Sequence, residues 1–188
     1  MIKAIIWIGF ALLVIAQWLV PGLMIWKKEK VLEEGITYKF QSAPIDPNDP
    51  FRGKYIELNF KETSLTVKKD TSLEDGEKVY VTFSVNKEGY AIINSVSKPK
   101  PSKKDFLETT INYISNENDS TTIFINYPFD QFYMDEYKAP RAEAIYRERS
   151  TDTLQKAYAL VNLLNGDAVI KDVFINDTSI QQIIRKAN

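Results

Sequence analysis

The feature that most constrains this chain is an uninterrupted apolar run near its N-terminus. From Ala4 to Trp26 no residue is charged, and Gln17 is the only strongly polar side chain. As an α-helix, a run of this length reaches about 34 Å, whereas the hydrocarbon core of a bilayer is about 30 Å thick. The run therefore predicts a helix that spans a membrane.

The flanks of the run support this interpretation. Trp7 lies near one end, and Trp26 lies at the other beside Lys27 and Lys28, as expected for indoles and lysines at the two interfaces. A cleaved secretion signal is the alternative, but the run exceeds a usual signal core and no Ala-x-Ala site follows it. We predict a transmembrane anchor over residues 1–30 and a soluble domain over residues 31–188.

The orientation of the anchor is open to two arguments. Lys27, Lys28 and Lys30 outnumber Lys3, which by the positive-inside rule places the domain in the cytoplasm. A short basic head before a hydrophobic stretch is nevertheless typical of a signal-anchor that exports the following chain. We favour an extracytoplasmic domain and leave the cytoplasmic side open.

Composition removes most familiar chemistry. The sequence has no cysteine and no histidine, which excludes disulfides, Ser-His and Cys-His catalysis and the common zinc sites. Residues 31–188 carry 20 basic and 24 acidic groups, so a nucleic-acid partner has no electrostatic support. We expect a non-enzymatic domain without a metal or a cofactor.

The soluble part shows the alternation of a mainly β domain, with short apolar runs separated by turn residues. Phe106–Ile114 fits either a strand or a short helix, and the tail around Ile180 fits either a helical turn or a strand. A short helix is predicted over Ala139–Arg149, since Pro140 suits a first helical turn. Strands are predicted at Ile36–Ala43, Lys54–Phe60, Val79–Val85, Tyr90–Val96, Thr121–Tyr127, Lys156–Leu164 and Ala168–Ile175.

Two of the predicted hairpins resemble each other. Lys78–Val96 aligns with Lys156–Val173 if one residue is deleted at the turn. This indicates a pseudo-twofold β sandwich or open barrel with halves at 31–100 and 101–188, joined by the Lys/Pro-rich stretch Ser97–Lys104. The alternative is that any two amphipathic hairpins look alike.

Residues 44–60 form the most distinctive segment, Pro-Ile-Asp-Pro-Asn-Asp-Pro-Phe-Arg-Gly-Lys-Tyr-Ile-Glu-Leu-Asn-Phe. The segment resembles the bacterial GDYXXLXY family of membrane-anchored proteins. Lys54 replaces the signature Asp, and Phe60 replaces the last Tyr. The signature positions are held by Gly53, Tyr55, Leu58 and Phe60, and the turn before them contains Asp46, Asp49 and Arg52.

The resemblance extends to the anchor, to Val79–Val96 and loosely to Phe132–Ile175. It implies a single-pass protein of a bacterial cytoplasmic (inner) membrane, and it implies multi-spanning membrane proteins as neighbours. No biochemical activity follows from it. The departure at Lys54 removes the carboxylate that the signature places there.

The physics of the motif allows two interpretations. Each Asp-Pro pair restricts the backbone, Arg52 can pair with Asp46 or Asp49, and Gly53 permits a tight approach into the next strand. The loop therefore either locks strand register or acts as a rigid recognition loop. Under the second interpretation, residues from Asp46 to Phe60 contact a partner.

An aromatic stretch offers a second candidate site. Its side chains either anchor the core and loops or stack on a sugar or a partner. Carboxylate pairs such as Glu74 and Asp75 lack calcium-loop spacing and fit solvated turns. The stretch contains Tyr127, Phe129, Phe132, Tyr133 and Tyr137.

Three functions therefore remain. The first is an accessory or interaction module for another membrane or envelope protein, held to the lipid bilayer by its anchor. The second is a small-ligand or glycan-binding module. The third is a Ser-Lys hydrolase, the only dyad that composition allows, although none of the candidate serines shows the expected elbow. These serines are Ser42, Ser64, Ser72 and Ser84.

The side of the membrane can be tested with a reporter. Alkaline phosphatase fused after residue 40 folds only outside the cytoplasm, because its disulfides need an oxidising compartment. We expect active fusions, and a cytoplasmic reporter fused at the same position should be dark. An inactive but full-length phosphatase fusion would overturn export.

Overall fold

The computed structural model describes residues 2–43, 55–68, 72–117, 119–135, 137–150 and 156–186. A long first helix precedes a β domain that contains two short helices. The elements in chain order are α1 (Ile2–Glu34), β1 (Ile36–Ala43), β2 (Tyr55–Glu57), β3 (Asn59–Phe60), β4 (Ser64–Lys68), β5 (Lys78–Val85), β6 (Ala91–Ser97), β7 (Phe106–Glu117), β8 (Ser120–Ile125), β9 (Gln131–Tyr133), α2 (Ala139–Ser150), β10 (Ala157–Leu164), β11 (Asp167–Ile175), β12 (Thr178–Ser179) and α3 (Ile180–Lys186).

The strands form two five-stranded sheets and one ribbon. One sheet has the order β12-β11-β10-β1-β3, the other has the order β4-β8-β7-β5-β6, and β2 pairs with β9 alone. All pairs of neighbouring strands are antiparallel. Together the strands make a nearly closed, barrel-like sheet, which confirms the predicted mainly β fold.

Most predicted elements are found; pairing divides one of them, and the structure decides two that the sequence left open. Of the predicted strand Lys54–Phe60 the structure describes residues 55–60, and these form two strands, because β2 pairs with β9 whereas β3 pairs with β1. At the break, the Leu58 amide donates to the Asp130 carbonyl over 2.7 Å. The ambiguous segment from Phe106 is a strand, β7, and the tail from Ile180 is a helix, α3. Strands β4, β9 and β12 have no counterpart among the predicted elements.

The two similar hairpins share an irregularity. The register of β5 with β6 shifts between Thr82 and Phe83, and that of β10 with β11 shifts between Leu160 and Val161. The extra residue is Asn94 in one hairpin and occupies the corresponding place on β11 in the other. A bulge at matching positions supports the internal repeat.

The halves that the repeat defines are interleaved. The order β3-β1-β10-β11 in one sheet corresponds to β8-β7-β5-β6 in the other. The first strand of each half therefore pairs with the hairpin of the opposite half. Ser97–Lys104 connects β6 to β7, which lie on either side of β5, rather than joining two separate layers.

The core is centred on Phe40 of β1, which is 1% exposed. Its ring meets those of Phe60, Phe83 and Phe129 edge-on, with centroids 5.6, 5.1 and 5.2 Å away. Phe60 belongs to one sheet and Phe83 to the other. Edge-to-face aromatic packing thus holds the two sheets together.

Helix α1 is long and apolar enough to cross a membrane. Its apolar side chains face outward from the protein; Trp18, for example, is 79% exposed. The helix continues beyond the apolar run to Glu34, and its end enters the domain, where Val31 is 2% exposed. The anchor predicted for 1–30 is therefore part of a longer helix.

The joint between α1 and the domain depends on one buried amide. The last carbonyls of a helix lack intrahelical donors. The Asn162 side-chain amide of β10 donates to the carbonyls of Leu32 and Val31 over 2.9 and 3.4 Å. Its oxygen accepts from the Thr37 hydroxyl over 2.7 Å, so one side chain fixes the helix end and the start of β1.

Gly35 allows the backbone to turn tightly from α1 into β1. Its amide donates to the Val31 carbonyl over 3.0 Å, and an added Cβ would lie 2.3 Å from that oxygen. No side chain larger than hydrogen fits there without a shift of backbone. The helix and the barrel are consequently joined without a flexible linker.

Loss of the Asn162 amide should loosen this joint. Asn162→Ala removes the side-chain donor to the Leu32 carbonyl and the acceptor of the Thr37 hydroxyl, whereas the Val31 carbonyl keeps the Gly35 amide. We therefore expect about 1–3 kcal/mol lower stability. Thermal or denaturant unfolding of the full chain in detergent, followed by circular dichroism, measures the change.

Asn94→Ala is the matched control, because Asn94 is an exposed asparagine on β6. It should stay within about 0.5 kcal/mol of the unsubstituted chain. Equal destabilisation by both substitutions would contradict the role given to Asn162.

Candidate interaction site

The motif is only partly within the described residues. Asp46, Asp49, Arg52 and Gly53 lie outside them, so their predicted pairing and turn stay predictions. The described signature residues occupy two different environments, the core and the surface of the domain. They are Tyr55, Leu58 and Phe60.

Leu58 and Phe60 are core residues. Leu58 is 1% exposed and Phe60 is 6% exposed. Besides Phe40, the Phe60 ring contacts those of Tyr127 and Phe129 at 5.4 and 5.5 Å. At these two positions the motif supplies apolar packing. Packing alone accounts for an aromatic ring at position 60, so phenylalanine can replace the tyrosine of the signature there.

Tyr55 faces the other way, on the ribbon formed by β2 and β9, which we call the aromatic ribbon. Tyr55 is directly opposite Tyr133, and their rings lie 5.6 Å apart. Tyr133 is 66% exposed, whereas Ile56 and Phe132 of the same two strands are buried. The ribbon thus presents an aromatic pair outward while its other face joins the core.

The aromatic ribbon lies close to the C-terminal part of α1. Tyr133 and Phe132 share an open cleft of about 330 Å³ with Lys28 of α1 and with Ala168 and Ile170 of β11. A protein surface that meets this cleft can therefore contact the domain and the end of the helix together. The sequence gives no local signal for this, because Lys28 and Tyr133 are far apart along the chain.

The aromatic stretch predicted as a second candidate site does not form one surface. Tyr127 and Phe129 join the core around Phe40, and their rings lie 5.0 Å apart. Phe132 is buried, whereas Tyr133 and Tyr137 are exposed, the latter to 95%. The stretch supplies mainly core and loop anchors.

The Tyr127 hydroxyl shows the anchoring role directly. It donates to the Glu62 backbone carbonyl over 2.5 Å. Burial, and then the nearby Glu62 charge, raises the pKa of Tyr127 well above its ordinary value. The phenol therefore remains a hydrogen-bond donor that ties the loop after β3 to the barrel.

A second cleft, of about 440 Å³, lies next to the motif and involves β3, β7 and β8. On its wall, Tyr113 and Phe124 stack with centroids 4.2 Å apart, and Tyr113 is 46% exposed. Sequence reasoning missed this pair because the first half of β7 fits a helix equally well. The partly exposed ring and three asparagines give this cleft a mixed apolar and amide lining. The asparagines are Asn59, Asn112 and Asn126.

The resolved pKa shifts do not favour acid–base chemistry. The Tyr38 hydroxyl donates to Asp105 over 2.8 Å, and burial together with this carboxylate raises the pKa of Tyr38 to about 12. Burial likewise raises the pKa of Tyr146 to about 12. Both groups move away from neutral pH, opposite to what a general base requires.

Glu74 and Asp75 lie in a hydrogen-bonded turn, Asp75 through its carboxylate and Glu74 through its backbone amide. Asp75 accepts from the Ile114 amide over 2.8 Å, and the Glu74 amide donates to the Glu77 carboxylate over 3.1 Å. Across the described ranges, no group of three or more Asp or Glu residues could hold a metal ion. Ser42, the first candidate nucleophile, is buried at 6% exposure.

These features define a class: a β-barrel-like domain fixed to the end of an apolar helix of membrane-spanning length, with an aromatic ribbon beside the helix exit. A family profile described as GDYXXLXY protein matches residues 17–173. The chain belongs to this family, as the motif predicted. Comparisons with curated proteins and with solved structures find no match.

Substitutions at Phe60 and Tyr133 should separate the two roles of the motif region. Phe60→Ala removes a buried ring that contacts three others, so we expect a loss of about 3–5 kcal/mol in stability. Tyr133→Ala removes an exposed ring and should change stability by less than about 1 kcal/mol.

Denaturant unfolding of the full chain in detergent measures both values. Similar losses for the two variants would refute the division between a core side and a surface side. Phe60→Tyr restores the signature residue and tests whether a phenol is tolerated at this buried position.

Proposed function

We propose that this chain is a single-pass protein of the bacterial cytoplasmic membrane whose β domain is a non-enzymatic interaction module for another membrane or envelope protein. The length and apolar character of α1 support the anchor. Membership of the GDYXXLXY family supports the same placement but carries no activity. We place the domain outside the cytoplasm, on the signal-anchor argument.

One observation carries the interaction role: Tyr133 and Lys28 line the same cleft. The aromatic ribbon therefore lies at the base of the domain, near the level at which α1 leaves the bilayer. A multi-spanning membrane protein presents its loops at that level. Exposed aromatic side chains are enriched in the hot spots of protein interfaces.

The rigid joint adds to this argument. Because Asn162 and Gly35 fix the barrel to α1, the ribbon keeps one orientation relative to the helix. A partner that packs against the exposed side chains of α1 in the membrane can then meet the ribbon without an ordering cost in the joint. Preorganisation of this kind strengthens association.

The two alternative functions have weaker support. A glycan site on residues 127–137 needs several stacking faces on one wall, whereas the structure divides those rings between core and surface. A Ser-Lys hydrolase needs an accessible serine beside a lysine of lowered pKa, and Ser42 is buried. We therefore propose a binding role without chemistry.

Site-specific cross-linking tests the proposal. A photo-reactive residue at Tyr133 in the full-length chain, expressed in a bacterium and activated by light, should trap one discrete membrane protein. The same residue at Lys87, an exposed position in the β5–β6 loop, is the control and should trap none. Absence of any Tyr133-dependent product would refute the interaction role.

Substitution of the surface should remove the partner without unfolding the domain. We expect Tyr55→Ala with Tyr133→Ala to lower the amount co-purified from detergent about tenfold or more, as for interface hot spots. Co-purification with Arg52→Ala tests whether the loop before β2 also contributes to partner binding. Undiminished co-purification by the double variant would place the contact elsewhere on the chain.

A further inference from the structure

A lysine-rich stretch lies next to the point where α1 meets the domain. We call residues 98–104, Lys-Pro-Lys-Pro-Ser-Lys-Lys, the lysine segment. It connects β6 to β7 and contributes to no strand. Pro99 and Pro101 lack an amide hydrogen, so the segment cannot complete a sheet edge. Its position must therefore be set by contacts at its ends.

Backbone contacts fix the C-terminal end of the segment to the β10–β11 turn. The Asn165 amide donates to the Lys104 carbonyl over 2.6 Å, and the Glu108 amide donates to the Gly166 carbonyl over 2.9 Å. Leu107 and Gly166 also form an isolated bridge. The C-terminal end of the lysine segment is thus fixed to this turn.

The same turn is fixed to α1 at the membrane boundary. Lys27 pairs with Asp167 over 2.8 Å, and the Lys28 ammonium donates to the Ala168 carbonyl over 3.3 Å. Lys27 follows Trp26, the last residue of the apolar run. One residue adds only about 1.5 Å along a helix, whereas each headgroup layer is about 5–7 Å thick. The turn therefore lies at the headgroup level.

Three lysines of the segment have no carboxylate partner among the described residues. Lys100, Lys103 and Lys104 are exposed, and the one charge contact among them is that of the Lys100 ammonium with the Phe106 ring, 5.6 Å from its centroid. Lys98 differs, because it pairs with Glu77 over 2.7 Å. The adjacent Asp105 accepts the Tyr38 hydroxyl, which directs that carboxylate toward the barrel.

We propose that the lysine segment binds the anionic phospholipid headgroups of the bilayer that holds α1. This rests on the membrane anchoring proposed above, though not on the protein partner. Lipid headgroups surround α1 on all sides where the helix leaves the bilayer. They can therefore contact the lysine segment at any rotation of the domain about the helix axis. Lysine on a flexible stem suits such contacts, and each contributes about fivefold to binding near an anionic surface.

The segment would then act as a second attachment beside α1. The helix fixes the depth of the domain, and the lysines hold one side of the barrel base against the surface. This restricts tilt, so the aromatic ribbon faces along the membrane plane rather than away from it. Phosphatidylglycerol is an anionic lipid suited to test this.

A fluorescent reporter can measure the contact, because the chain has no cysteine and any introduced thiol is unique. Ser102→Cys places a dye within the segment of the full-length protein. Glu117→Cys is the control, since it lies at the opposite end of β7, about 33 Å along the strand from Leu107. Both variants are reconstituted in phosphatidylcholine vesicles with or without a quarter of phosphatidylglycerol.

We expect collisional quenching of the Ser102→Cys dye by an aqueous quencher to fall about threefold or more when phosphatidylglycerol is present. Quenching at Glu117→Cys should not change. In the Ser102→Cys background, Lys100→Gln, Lys103→Gln and Lys104→Gln together should abolish the lipid dependence. Lys68→Gln, Lys87→Gln and Lys138→Gln remove the same charge elsewhere and should preserve it.

Equal quenching with and without the anionic lipid would overturn the headgroup proposal, as would a response that survives the first triple substitution. Vesicle flotation of the same samples separates this from a failure of the anchor. A chain that does not float with vesicles lacks the anchor, whereas a chain that floats without a lipid-dependent signal lacks only the headgroup contact.

Discussion

The arrangement of this molecule depends on the amide of Asn162. A helix that leaves a bilayer normally ends in water, where solvent satisfies its last carbonyls. Here those carbonyls enter a barrel, so a protein donor must replace water. Asn162 supplies that donor from the middle of β10, at 2% exposure, and its own oxygen is satisfied by Thr37. The membrane-length helix is thereby continuous with the barrel wall.

The interleaved repeat explains why α1 is held firmly by the whole barrel. Strand β1, which follows α1 directly, pairs with β10 from the other half of the chain. A displacement of α1 would therefore disturb both halves through one sheet. At the centre, Phe40 of β1 contacts rings from both sheets, so the same strand carries the joint on one end and the core in its middle.

Local pattern was sufficient for elements whose burial alternates with a fixed period. β1 has the predicted bounds Ile36–Ala43, and α2 ends one residue beyond the predicted Arg149. The inward positions Ile56, Leu58 and Phe60 also follow from alternation, and all are buried. The alternation of apolar and polar residues predicts which face of a strand is buried, and this prediction does not require knowledge of the partner strand.

Pairing between distant residues could not be predicted in this way. The break at Leu58 exists because β2 and β3 have different partners, and one of these, β9, is only three residues long. Asn162 reads as an ordinary polar residue on a strand, since the carbonyls that it caps are 130 residues away. The cleft shared by Lys28 and Tyr133 is equally non-local, so the candidate site could be only half predicted.

The joint also decides which surfaces can have a function at the membrane. On a flexible tether every exposed group would sample the bilayer and its proteins, and no face would be distinguished. Under the proposed membrane placement, the base of the domain, which α1 enters, is the part that stays at headgroup level, and that base combines two chemistries. In the proposed roles, the lysine segment offers charge for lipid, and the aromatic ribbon offers apolar area for protein. Lysine charges suit the mobile headgroups of a lipid surface, whereas a pair of tyrosine rings suits a protein surface of fixed shape. The two sites can therefore act side by side without competing for the same partner.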